Sequence, residues 1–204
     1  MKVKNYSFRD IDHHYFLYPI STLDDAPPIF RELPEIELAN ALLLYGYIHH
    51  LEGCSFHVLG AASYTPQKIH FFPGDKSLCI NFRSKYISNH ELISLKKFDS
   101  SLYQYEINMI NKGEDSETIK YLRSIHELDQ FRDHNYPDSV LVSFHRGDYT
   151  LYSHKVLYED IEDNKIIGML LEKPMFNLGL QQFDEVKFQL IKHNNNNYTL
   201  ECHL

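Results

Sequence analysis

From Tyr136 to Leu204 the chain is cut into short apolar runs, and a turn-forming residue ends each of them. The runs are Val140–Phe144, Thr150–Tyr158, Lys165–Leu171, Glu185–Ile191 and Tyr198–Cys202, and every connection contains glycine, asparagine, aspartate or proline. Runs of this length bounded by turn signals are strands rather than helices. Five such strands in an open sheet would leave two unpaired edges, and closure removes them. A small antiparallel β-barrel is therefore expected over residues 136–204.

The N-terminal part has a different texture. Tyr15–Tyr18 is a short extended piece, and the Asp24-Asp25-Ala26-Pro27-Pro28 stretch is a turn. Residues Pro34–Gly53 open with proline, place Glu35 and Glu37 in the first turn and end on glycine, which are the marks of a helix. Leu38, Ala41, Leu42, Tyr45, Ile48 and Leu51 recur at steps of three and four, with Leu43, Leu44 and Tyr47 widening the stripe. The pattern predicts a central buried helix. Strands are expected at Ser55–Leu59, Lys68–Phe72 and Ser77–Phe82, the last two joined by a hairpin turn at Pro73–Lys76. Leu102–Ile110 fits a strand or a capped helix, and Asp115–Phe131 reads as a helix. His134–Asp138 is the expected domain boundary. The expected fold class is thus α+β: a mixed α/β region over 1–135 with a central buried helix, then the barrel over 136–204.

Charge narrows the functional classes. Residues 1–135 carry 18 acidic against 14 basic side chains, and residues 136–204 carry 10 against 6, for a formal net charge of −8. A nucleic-acid partner requires a basic stripe, and none exists. A basic protein is the more natural partner. Cys54, Cys79 and Cys202 are odd in number and widely spaced, which points to no disulfide framework. The first residues lack a signal-peptide core and no run is long enough to span a membrane, so a cytoplasmic location is expected.

Thirteen histidines make metal chemistry the first to consider. The densest group is His49, His50, Cys54 and His57, which would supply zinc ligands if the turn at Gly53 folded back tightly. His90-Glu91 and His126-Glu127 open like a zincin motif, but no histidine completes either. No G-x-S-x-G elbow or phosphate-cradling glycine loop occurs, so neither a nucleophile nor a nucleotide cofactor is indicated, and no cofactor is expected. Glu159, Asp160, Glu162 and Asp163 form a compact acidic turn suited to docking on a basic surface. Tyr149, Tyr152, Tyr158 and Phe176 are candidate aromatic anchors around the barrel loops.

The C-terminal strands resemble a family of uncharacterised small bacterial SH3-like β-barrel domains. The matching residues are Val140–Phe144, Leu151 and Tyr152, Asp160–Asp163, Gly168-Met169-Leu170, and the segment from Gly179-Leu180 through Asp184, Val186 and Phe188. Phe183 stands where that pattern places glycine. The resemblance covers a third of the chain and implies a binding module, since some such domains accompany toxin-immunity systems. The resulting expectation is a non-enzymatic protein-binding module, including an immunity-type inhibitor of a bacterial toxin. Two alternatives stay open: a metal-dependent hydrolase using His49, His50 and His57, and a homodimeric structural module pairing through Val140–Phe144 or Tyr198–Cys202.

Overall fold

The computed structural model describes residues 1–20, 28–73, 79–112, 115–174 and 178–204. The expected turns at 24–28 and 73–76 and the candidate Phe176 lie wholly or largely outside those residues. The chain divides into two compact units, Met1–Glu114 and Asp115–Leu204. Sequence reading set the division at 135/136, whereas the second unit here takes in the helical segment before it.

The first unit is built on a six-stranded antiparallel sheet. Its strands are β1 (Tyr15–Pro19), β2 (Ala41–His49), β3 (Gly53–Thr65), β4 (Lys68–Pro73), β5 (Asn81–Arg83) and β6 (Ile93–Ser94). They run in the order β4-β3-β2-β1-β6, with β5 also on β3. β4 pairs with the second half of β3 and β5 with the first half.

The central buried helix expected over 34–53 does not form. Pro34 and Glu35 make a turn with Glu35 left-handed at φ 57°, a single 3₁₀ turn follows at Ile36–Leu38, and Ala41–His49 is a strand. The unit is mostly β, with helix confined to short segments. Alternate residues of β2 enter two different cores: Leu42, Leu44 and Ile48 pack on one face of the sheet, and Ala41, Leu43 and Tyr45 on the other. A strand buried on both faces is a continuous apolar run, so its residues satisfy helical spacing as well as alternation. Pairing with β1 and β3 decides between them, overriding the helix preference of leucine and alanine. Gly46 is needed there, because a Cβ would lie 2.3 Å from the Ile11 carbonyl oxygen.

Among the described residues the α-helices are α1 (Phe8–Ile11), α2 (Gln104–Lys112) and α3 (Glu117–Ser124), accompanied by short 3₁₀ turns. Tyr103 and Ile107 seat α2 and its leading turn on the Leu43 face of the sheet.

The second unit is a closed five-stranded barrel of β7 (Ser139–Arg146), β8 (Tyr149–Glu162), β9 (Lys165–Leu170), β10 (Glu185–Lys192) and β11 (Tyr198–His203). Consecutive strands pair antiparallel, but β11 closes on β7 in parallel, with His203 opposite His145. Directions alternate along a meander, so strands one and five of an odd-numbered barrel must run the same way. Val142, Phe144, Val156, Phe188, Leu200 and Cys202 fill the interior, joined by Ile119 and Leu122 of α3. The β8–β9 turn is Asp163-Asn164, both at positive φ, as a two-residue hairpin connection requires.

A buried ionic network ties α3 and the following 3₁₀ segment to this barrel. Asp138, 1% exposed, accepts from Arg123 Nε at 2.8 Å and from the Tyr158 hydroxyl at 2.6 Å. Arg132 donates to the Tyr158 hydroxyl, to the Pro137 and Leu122 carbonyls and to Asp129. Burial works against the Arg123 charge, but the Asp138 carboxylate outweighs it and holds the guanidinium protonated more firmly than usual.

Candidate functional site

The residues singled out by sequence do not assemble as expected. On β3, Cys54 sits in the apolar core with Phe56 and Val58, so His57 points to the opposite face of the sheet. One metal ion cannot reach both. His49 is exposed and its Nδ1 accepts the backbone N–H of Glu52 at 3.2 Å. His50 is partly exposed in the turn that follows. Among the described residues no group of three or more His, Cys, Asp and Glu is arranged to hold a metal ion.

In the barrel, Tyr158 is fully buried and spends its hydroxyl on Asp138 and Arg132, so it is a core residue and no surface anchor. Tyr149 and Tyr152 are exposed, at 77% and 45%. Glu159, Asp160, Glu162 and Asp163 are exposed too, but at the other end of β8. Tyr149 and Glu159 are separated by roughly 33 Å of extended chain, so tyrosines and acids do not make one patch. Glu162 is moreover paired with Lys187. The two strands considered for edge-to-edge dimerisation, Val140–Phe144 and Tyr198–Cys202, pair with each other in closing the barrel.

The surface that does stand out lies on α2. Tyr103, Ile107 and Ile110 form its inner face. Leu102, Tyr105 and Met109 recur at the same steps of three and four on the outer face, where they are 69%, 61% and 52% exposed. Beside this stripe opens a groove of about 320 Å³ lined by Ile69, Phe71, Leu95, Phe98, Leu102 and Tyr103 together with the polar Lys97, Asp99 and Ser101. Leu102 belongs to both, so stripe and groove are one apolar surface. The sequence does carry the signal, since residues 102–110 are apolar in two helical phases at once. A helix apolar on both sides buries one face in its own domain and presents the other.

One hydrogen bond from the sheet reaches α2, and further polar groups lie on the strands beside it. The Tyr45 hydroxyl donates to Asn111 Oδ1 at 3.1 Å and accepts from His13 Nδ1. His57, 5% exposed, donates from Nδ1 to Asn81 Oδ1 at 2.7 Å, while the Asn81 amide nitrogen donates to Cys79 Sγ. That assignment leaves the imidazole lone pair on Nε2. The Tyr103 hydroxyl and one Glu106 carboxylate oxygen are buried with no hydrogen-bond partner among the described residues. Burial, and secondarily the Glu106 charge, pushes the Tyr103 hydroxyl up to about 12.

Burial lowers the His57 pKa, outweighing the opposing effects of Asn81 and Glu106. The unfolded chain therefore takes up a proton near pH 6.5 that the folded unit refuses until lower pH. Stability from this residue is fully present above about 6.5 and falls as pH drops through the window below, with a slope of at most about 1.4 kcal/mol per pH unit. Urea unfolding of the parent and of His57→Gln between pH 7.5 and pH 5.5 is expected to give a flatter profile for the variant. Identical pH profiles would remove His57 as the cause.

No family model, curated protein or solved structure matches the chain.

Proposed function

We propose that the chain is a non-enzymatic protein-binding module whose docking surface is the outer face of α2 and the adjoining groove. The observation that carries this reading is the Leu102, Tyr105 and Met109 stripe, left exposed at more than half of its area beside a ready-made apolar recess. Covering each such side chain contributes about 1.5–3 kcal/mol, and a partner that seats an apolar side chain in the groove against the packed Phe71 and Phe98 rings gains further. The Tyr45–Asn111 hydrogen bond and the packing of Tyr103 and Ile107 on the sheet support the reading by holding the helix in place, which lowers the entropic cost of docking. Nothing comparable joins the tyrosines and acids of β8.

The test uses the intact chain carrying a photo-crosslinking phenylalanine analogue at position 105, irradiated inside the cells that produce it. One defined polypeptide adduct is expected at 105 and none at the exposed Tyr86, whose neighbour Ile87 packs in the cluster on the other face of the sheet. Leu102→Ser and Met109→Gln are each expected to weaken capture of that polypeptide by about tenfold, the loss typical of an interface anchor, with circular dichroism unchanged. No adduct at 105, or one that survives both substitutions, would exclude this surface.

A further inference from the structure

The exposed row on α2 has its middle near Tyr105, with Leu102 on one side and Met109 on the other. A helix with such a row can be laid on a copy of itself, turned by half a rotation about an axis through Tyr105. The two copies then run antiparallel. Leu102 of each meets Met109 of the other, and the two Tyr105 rings face one another across the axis. Further out, the same register sets Asp99, just before the 3₁₀ turn Ser101–Tyr103, against Lys112 in the last turn of α2. Both are exposed. Asp99 is held in place by the Ser101 backbone N–H, which donates to its Oδ1 at 3.0 Å. A twofold contact makes every such pair twice, and opposite charges at the two ends of one helix are what it requires. The two helix dipoles also oppose each other, so each end meets its complement.

The groove fits the same occupant. Leu102 belongs to the stripe and to the groove wall, so a Met109 that reaches Leu102 from a second copy arrives at the groove mouth. Its unbranched thioether suits a recess walled by Phe71 and Phe98, whose rings pack edge to face with centroids 5.0 Å apart. Each copy supplies one filler and one recess. Charge points the same way. The chain carries a formal net charge of −8, yet residues 95–112 hold Lys96, Lys97 and Lys112 against Asp99 and Glu106. A basic partner finds no acidic excess there, and a second copy avoids most of the repulsion that the rest of an acidic chain presents.

We propose that the chain associates through this surface with a second copy of itself, as a twofold dimer in which α2 packs antiparallel on α2. The proposal rests on the reading of α2 as the docking surface and names its partner. Leu102, Tyr105 and Met109 are the anchors, and Asp99 and Lys112 set the direction. Because the contact is closed by its own symmetry, association stops at two.

The experiment measures the mass of the full chain by sedimentation equilibrium from micromolar to millimolar concentration, beside the irradiated chain with the photo-crosslinker at 105. A species of twice the 24.1 kDa of one chain is expected, and the adduct should be the chain joined to itself. Leu102→Ser and Met109→Gln should each raise the dimer dissociation constant about tenfold. Asp99→Lys and Lys112→Asp should each raise it about three- to tenfold. An equimolar mixture of these two charge variants should recover the parent value, because the unlike pair restores both contacts, whereas a loss caused by misfolding does not recover on mixing. High salt should remove the charge effects and leave those of the stripe. A chain that stays monomeric throughout overturns the proposal, and so does a dimer indifferent to Leu102→Ser and Met109→Gln, or a mixture no tighter than its components. The adduct separates the two ways of failing. Joined to a different polypeptide, it removes the second copy and keeps α2 as the docking surface; with no adduct at all, the docking reading falls too.

Discussion

Asp138→Ala is expected to destabilise the barrel unit by about 3–5 kcal/mol, the range seen when one partner of a buried ion pair is removed. The carboxylate is 1% exposed and satisfies two Arg123 nitrogens and the Tyr158 hydroxyl together. Without it, Arg123, with just 11% of its side chain in contact with solvent, loses one counter-charge and keeps Asp115 at 2.7 Å. Tyr158→Phe should cost less, about 1–3 kcal/mol, because the charges stay paired while Arg132 loses one acceptor and Asp138 one donor. Hydrogen exchange of the Val142 and Leu200 amides reads this directly, since both lie in the barrel. Protection unchanged in Asp138→Ala would mean that α3 and the barrel fold independently of the network.

The second large effect tests the strand that replaced the expected helix. Leu43→Ala and Leu44→Ala are each expected to cost about 2–5 kcal/mol, although they are adjacent in sequence. Both are fully buried, Leu43 in the cluster under α2 and Leu44 in the cluster on the other face. Because the two share no packing cluster, their losses should add in the double variant. A helix with one buried stripe would give unequal losses at neighbouring positions. Urea midpoints of the three variants decide it, and one silent leucine would contradict burial on both faces.

How much of this was legible in advance differs between the two units. In the barrel each strand has one face inside and one outside, so the sequence alternates, and turns such as Asp163-Asn164 carry residues that tolerate positive φ. In β2 both faces are buried, alternation disappears, and Ala41–Tyr45 reads equally well as the spine of a helix. The metal reading of Cys54 and His57 depended on the turn at Gly53, but the two lie three residues apart on one strand, which puts their side chains on opposite faces.

By itself the sequence determined where the barrel strands turn, which strands of the C-terminal unit have a dry side, and that the charge balance lacks a basic stripe. These are local properties, set by backbone preferences and hydrophobic period within a few residues. Tertiary structure alone decided that Ala41–His49 is a strand, that Tyr158 lies in the core, and that His145, His193, Glu201 and His203 meet. The last three lie some fifty residues beyond His145. Only closing an odd number of strands, which forces the first and last to run side by side, brings them together.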